Sequence, residues 1–305
     1  MKGRDFISEH DFSHDEIAMI LDKAMEIKKS PQNFRKVLDG KTLAMIFEKP
    51  SLRTRVTFET GMTQLGGHAI YLAPSDAQLG KRESTPDIAR NLERWVDIIM
   101  ARTFAHQSVL TLAEYSKVPV INALSDFLHP CQAMADYLTI KEVYGSFKNR
   151  KIAYIGDGNN VANSLMLTAA KVGMNISIVT PEGFEPGKEI VSMAKEDAKK
   201  TGITISITND QKEGLRDADV VYTDVWASMG QESETEKRKK IFKEYQVNKK
   251  TMSLAKKEAI FMHCLPAHRG DEVTDEVADS DRSVIFQQAE NRLHAQKAVM
   301  VLIAG

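Results

Sequence analysis

Cysteine is almost absent from this 305-residue chain: Cys131 and Cys264 are the only two. Two cysteines cannot build a disulfide framework, and both stand in polar motifs, which suits a reducing cytoplasm. An excess of charge of either sign is also missing. Lys and Arg number 41, Asp and Glu 42, and the formal net charge is −1, so nothing drives the chain generally toward nucleic acid or a membrane surface. No apolar run is long enough to span a bilayer. The opening Met1-Lys2-Gly3-Arg4-Asp5-Phe6 lacks the apolar stretch of a signal peptide, and a cytoplasmic location is expected. There is no internal repeat and no low-complexity tract. What is present is ordinary globular composition, 42% hydrophobic and 27% charged, in a chain long enough for two domains with sizeable cores.

The pattern of apolar residues predicts alternating helices and strands. Ile17, Ile20, Leu21, Ala24 and Ile27 share one side of a helix over 15–29, which Pro31 ends. A buried strand over 42–47 leads into Glu48-Lys49-Pro50-Ser51-Leu52-Arg53-Thr54-Arg55, then a helix stopped at Gly66-Gly67, then a strand over 69–72. Strand, helix, strand with short joins is the mark of a right-handed βαβ unit. The stretch 73–84 is polar and aperiodic and reads as an exposed loop. Thr85-Pro86 reads as a helix cap with a first-turn proline. A strand over 97–101 delivers Arg102, and a helix over 106–116 and a strand over 118–123 lead to His129. A helix over 133–144 and the segment 146–150 bridge to a second alternation. Its strands are expected over 151–155 and near 175–180, 203–207, 219–223, 259–263 and 283–286, with a closing helix over 290–303. The charged stretch 228–250 has no strand pattern and reads as a lid or a solvated helix.

Three polar clusters stand at the ends of three separate predicted strands: Ser51 to Thr54, Arg102, and His129. Ligands of open parallel sheets bind at the carboxyl ends of strands. A strand-to-helix turn offers backbone N–H groups and the positive end of the helix dipole, Ser51 and Thr54 offer hydroxyls, and Arg53 offers a planar fork suited to phosphate. The simpler reading of Ser51 is a helix N-cap. His129 and Gln132 lie one turn apart, able to donate to a carbonyl oxygen and accept from an amine. Gly156-Asp157-Gly158-Asn159-Asn160-Val161 follows a strand and opens a helix, imitating a dinucleotide fingerprint without its third glycine, and Glu182 lies where a ribose-binding acid would. A nicotinamide oxidoreductase is therefore a rival reading. Asp224 follows a strand, where an Asx-turn is the plain interpretation. His263 and Cys264 are adjacent, which disfavours chelation, and no second Cys/His pair has finger-like spacing, so no metal is expected.

These motifs carry a resemblance. Ser51-Leu52-Arg53-Thr54-Arg55 resembles the Ser-Thr-Arg-Thr-Arg signature of the aspartate/ornithine carbamoyltransferase family, with Leu52 in place of the usual hydroxyl residue. His129-Pro130-Cys131-Gln132 resembles its His-Pro-x-Gln motif. Asp224-Val225-Trp226-Ala227-Ser228-Met229-Gly230 and His263-Cys264-Leu265-Pro266 resemble segments of its ornithine branch, as does the Asn160 segment. The likeness runs through almost the whole chain, in the family's order.

The resemblance implies an α/β chain with two doubly wound parallel-sheet domains joined by long helices. Residues 1–146 would bind carbamoyl phosphate, with a C-terminal helix over 290–305 packing back on them, and 147–289 would bind ornithine. It implies carbamoyl transfer to an amine with no cofactor; an acceptor other than ornithine, such as putrescine, is the alternative within the family. Ser51, Leu52, Arg53, Thr54 and Arg102 would hold the phosphate, with Gln78 and Arg82 supplied by a neighbouring chain in a homotrimer or a multiple of it. His129 and Arg292 would face the carbamoyl oxygen, with Gln132, Cys264 and Leu265 at the same group. Asn160, Asp224, Ser228 and Met229 would hold the amino acid, and Cys264 with Asp224 would take the amine proton.

Overall fold

The computed structural model describes residues 1–227 and 234–305. It divides into two compact units, residues 1–138 with 290–305, and residues 139–289. The first contains α1 (His14–Lys29), β1 (Thr42–Phe47), α2 (Leu52–Gln64), β2 (His68–Leu72), α3 (Pro74–Ala77), α4 (Thr85–Leu92), β3 (Ile98–Arg102), α5 (His106–Tyr115) and β4 (Val120–Leu124). The chain leaves it within α6 (Pro130–Tyr144). The second contains β5 (Lys151–Ile155), α7 (Asn160–Val172), β6 (Asn175–Val179), α8 (Lys188–Thr201), β7 (Ile205–Thr208), α9 (Gln211–Leu215), β8 (Val220–Thr223), α10 (Thr235–Phe242), α11 (Lys249–Met252), β9 (Ile260–His263) and α12 (Asp275–Ala278). The chain returns within α13 (Ile285–Ala304).

Both sheets are parallel, as expected. The first runs β2-β1-β3-β4 and the second β7-β6-β5-β8-β9. Their central strands are continuous apolar runs because helices cover both faces. Leu43 to Phe47, Ile98 to Ala101, Ile152 to Ile155 and Val220 to Tyr222 are all buried. Each such Leu, Ile, Val or Phe side chain contributes about 1.5–3 kcal/mol on leaving water. In each sheet the winding reverses beside the first strand laid down, between β1 and β3 and between β5 and β8. The loops that follow those strands diverge, and the crevice they leave is where ligands bind in this architecture.

Three expectations need correction. Residues 73–84 are not wholly loop: Pro74 starts α3, and Asp76 accepts the Ala73 N–H at 2.7 Å, so one helical turn forms. The cap of α4 is Ser84, whose hydroxyl accepts from Asp87 N at 3.2 Å, one residue before the expected Thr85. The segment 283–286 is no strand. Ser283 makes a single bridge to Phe261, and the chain then turns helical at Ile285, five residues before the closing helix was expected. Part of the charged stretch 228–250 is helical, as α10 and α11. Among the described residues no helix is long and apolar enough to cross a membrane.

Candidate functional site

In the first unit, β1 hands over to α2 through Glu48 to Ser51. Glu48 N–H donates to the Arg102 carbonyl at 2.9 Å, and its carboxylate accepts from Phe104 N at 2.8 Å, so the loops after β1 and β3 are tied together. Ser51 is the N-cap of α2: its hydroxyl accepts from Thr54 N at 3.3 Å and donates to the Thr54 hydroxyl at 3.1 Å. The cap reading and the anion reading coexist, since a capped N-terminus still directs its dipole and first N–H groups outward. The Leu52 side chain is 75% exposed, so that position can serve the loop through its backbone.

Arg292 projects from α13 and is buried. It donates to Gln132 Oε1 at 2.7 Å and to the Thr54 hydroxyl at 3.2 Å. With its amide turned to satisfy both ends, Gln296 accepts from the same guanidinium at 3.0 and 3.2 Å. Gln132 in turn donates to Asp136 at 2.7 Å. These bonds fix α2, α6 and α13 around one point, and Gln132 Oε1 keeps a second lone pair for an incoming N–H.

His129 is buried among cations. Burial pushes its imidazole well below the usual value, and Arg292, Arg102, Lys49 and Arg53 push it further in the same direction. The ring is neutral at ordinary pH and presents one donor and one acceptor. Four cationic groups acting on one histidine form a field suited to a multiply charged anion. Lys49 and Arg102 are themselves buried. Lys49 was not singled out from sequence; its only signal is its place in the loop directly after a strand. Cys131 is no nucleophile: burial pushes its thiol up to about 12, and its sulfur donates to the Asn122 carbonyl at 3.4 Å. Gln78 and Arg82 stand exposed on the loop between α3 and α4. Gln78 has a left-handed backbone, φ 26°.

In the second unit, the loops after β5, β8 and β9 meet at Asp224. Its Oδ1 accepts from the Cys264 thiol at 2.9 Å and from Val225 N at 2.8 Å, one residue on rather than the two of the Asx-turn expected. Its Oδ2 accepts from Asn159 Nδ2 at 2.9 Å. Arg238 of α10 pins the same loops a second time, donating to Asp157 at 2.7 Å and to the Trp226 carbonyl at 3.1 Å. Asp157 is held above the usual carboxylate range by burial, against the pull of that guanidinium. Asn160 is the first residue of α7 and half-buried. Ser228 and Met229 lie outside the described residues.

Behind Cys264, His263 Nδ1 accepts from Leu265 N at 2.8 Å, and its Nε2 faces the buried Glu272 carboxylate at 3.1 Å. The proton therefore sits on Nε2. Leu265 takes a left-handed backbone, φ 58°. Ligand atoms of Asp224, His263 and Cys264 lie within 4.8 Å of one another, close enough to suggest a metal. Both imidazole nitrogens are already committed to Leu265 and Glu272, so His263 has no lone pair to offer an ion, and the Cys264 thiol donates to Asp224.

The dinucleotide reading fails at Gly158. In that fingerprint the second glycine leaves room for a pyrophosphate. Here the room is filled by the chain itself: Gly158 N–H donates to the Phe184 carbonyl at 2.8 Å, and a methyl group there would lie 2.4 Å from Pro186 N.

Both units are similar to known proteins. The family model described as "Aspartate/ornithine carbamoyltransferase, carbamoyl-P binding domain" matches residues 4–142, and the companion "Asp/Orn binding domain" matches 148–303. An ornithine carbamoyltransferase of Anoxybacillus flavithermus is 56% identical over 303 residues, covering 99% of this chain and 96% of the relative. The protein named as the anabolic ornithine carbamoyltransferase of Pyrococcus furiosus is 53% identical, covering 100% and 98%. A solved structure of the Pyrococcus furiosus ornithine carbamoyltransferase superposes with a TM-score of 0.96 at 53% identity, over 100% of this chain and 98% of the other. That of Thermus thermophilus gives 0.89 at 44%, over 99% of each. The matches run the full length of both units, and this chain belongs to the aspartate/ornithine carbamoyltransferase family.

Proposed function

We infer that the protein transfers the carbamoyl group of carbamoyl phosphate to the δ-amine of L-ornithine, giving L-citrulline and phosphate. The observation that carries the choice of acceptor is Asp224, a buried carboxylate paired with the Cys264 thiol at 2.9 Å. An anion with a proton-carrying partner suits an amine; an acidic acceptor would call for basic residues there. The relatives named ornithine carbamoyltransferase support the same acceptor.

The chemistry is addition followed by elimination. The neutral δ-amine forms a C–N bond to the carbamoyl carbon, and the carbonyl π electrons move onto oxygen. Collapse of that oxyanion breaks the bond to the bridging oxygen, and phosphate leaves with the electron pair. The amine proton passes to the Cys264–Asp224 pair. Carbamoyl phosphate is already activated, so no covalent intermediate is needed, and holding the reactants and stabilising the oxyanion is the work of the protein.

The residues are assigned on the family resemblance, with the hydrogen bonds described above in support. Ser51, the Leu52 N–H, Arg53, Thr54 and Arg102 grip the phosphate. His129 and Arg292 donate to the carbamoyl oxygen, and Gln132 and the Leu265 carbonyl accept from its amine. Asn160, Asp224, Ser228 and Met229 hold ornithine. Residues 1–146 with the C-terminal helix form the carbamoyl phosphate domain, and 147–289 the ornithine domain. The active species is a cytoplasmic homotrimer, or a multiple of one, in which Gln78 and Arg82 serve the neighbour's phosphate. Citrulline formation is the physiological direction, as for the relative named anabolic.

A ureido-product assay with carbamoyl phosphate and a panel of ornithine, putrescine, N-acetylornithine and aspartate tests the reading. Ornithine should be carbamoylated with by far the highest kcat/KM. Preferential carbamoylation of putrescine would reassign the acceptor, and no product with any amine would overturn the reaction.

A further inference from the structure

We propose that Asn159 sets the orientation of the Asp224 carboxylate, and so is a positioning residue for the amine acceptor; this rests on the ornithine reading above. The neighbouring Asn160 carries the family resemblance; the bonds to Asp224 and to the first turn of α7 come from Asn159. Its Oδ1 accepts from Val161 N at 2.9 Å and Ala162 N at 3.1 Å, capping α7. Two N–H donors can only face an amide oxygen, so the cap fixes which way the amide points. Nδ2 is thereby turned away from the helix, onto Asp224 Oδ2 at 2.9 Å. The anchor is rigid, because α7 is buried from Val161 to Lys171. The Tyr154 hydroxyl lies 3.4 Å from the same Oδ1.

The consequence is a carboxylate with one direction left open among the described residues. A carboxylate offers about four acceptor directions, two on each oxygen. At Asp224, Val225 N and Cys264 take Oδ1, and Asn159 takes one direction on Oδ2. The remaining direction on Oδ2 is the one an amine N–H can use, with the thiol beside it to exchange the proton. Without Asn159, both remaining bonds fall on Oδ1, and no described residue fixes the direction of Oδ2. The amide also matters for being neutral: a carboxylate in its place would cap α7 equally well but repel Asp224.

Two substitutions separate capping from positioning. Asn159→Ser keeps a capping hydroxyl that is too short to reach Asp224. Its melting temperature should stay within about 3 °C of wild type. Ornithine kcat/KM should fall roughly 10- to 100-fold, the loss of one hydrogen bond to a charged group, with carbamoyl phosphate affinity unchanged. Cys264 should also be alkylated faster by iodoacetamide, read on its own peptide with buried Cys131 as the internal reference, because an Asp224 carboxylate free to turn holds the thiol less firmly. Asn159→Asp keeps the cap and brings two carboxylates together, so the acid limb of ornithine kcat/KM should move to higher pH by about one unit or more. Wild-type ornithine kinetics in Asn159→Ser, or an unmoved acid limb in Asn159→Asp, overturns the proposal. So does a loss of carbamoyl phosphate affinity in step with the melting temperature. Failure of the wild-type protein to make citrulline would instead overturn the functional reading, while the alkylation rates would still report whether Asn159 holds Asp224.

Discussion

His294 shows how a single buried side chain sets the behaviour of the molecule toward acid. It lies on α13, nine-tenths buried, 3.5 Å from Glu290. Burial lowers its pKa to about 4, and Lys297 and Lys28 act in the same direction against the weaker pull of Glu290. The unfolded chain protonates this ring near 6.5, the folded chain only near 4. Between those values the unfolded state binds the extra proton, so stability rises with pH and is lost as the pH falls from about 6.5 toward 4. His129, lowered for similar reasons, adds to the loss in the same direction. His294→Gln cannot take up a proton, so its melting temperature should fall less steeply over that window than that of the wild type. Thermal melts of both proteins at a series of pH values check this, and parallel curves would remove His294 from the explanation.

At the scale of elements, the turn from β5 into α7 depends on what Gly158 lacks. A Cβ there would lie 2.4 Å from Pro186 N and 2.6 Å from both Glu185 C and Phe184 O, all of them backbone atoms that cannot rotate aside. Gly158→Ala should destabilise the protein by about 1–3 kcal/mol, as overpacking does. It should also raise KM for ornithine, because the same turn carries Asn159 and Asn160. Gly187 is the contrast: nothing lies within 4 Å of its added Cβ, and α8 has no side-chain cap there. Gly187→Ser should therefore hold or raise stability. Denaturant midpoints for the two variants decide the matter, and equal midpoints would refute the packing argument. The strands over 42–47 and 151–155 were legible because continuous apolar runs of that length, bounded by polar turns, suit a sheet covered on both faces. Ser283-Val284-Ile285-Phe286 misled for the same reason, since a short apolar run also fits the first turn of a buried helix. The anion loop, His129 and Asp224 were legible as polar residues at strand ends. Asn159 was not, because two adjacent asparagines look alike until the helix cap distinguishes them. Lys49 was not, because its effect on His129 depends on burial that spacing does not reveal.

At the scale of the whole molecule, the exposed side chains of the first unit suit a surface that another copy covers. Leu52 is 75% exposed, Val56 of α2 50%, and Ile70 on the edge strand β2 41%. Large apolar side chains this exposed become part of an interaction surface where they adjoin one another. Gln78 and Arg82, also exposed, stand on the loop assigned above to the neighbour's phosphate. When each chain gives its loop to the next and receives one in turn, the contact is head-to-tail, and a rotation of one third closes the ring. That arrangement has a consequence that a self-contained site does not. Arg53→Ala spoils the pocket but leaves the loop intact, and Arg82→Ala spoils the loop but leaves the pocket intact. Each homogeneous assembly should have little activity. After dissociation, equal mixing and reassembly, about one quarter of the sites should join an intact pocket to an intact loop, and activity should return to about that fraction of wild type. If mixed assemblies form without recovery, or if the active protein sediments as a monomer, the loop serves its own chain and the shared site is wrong.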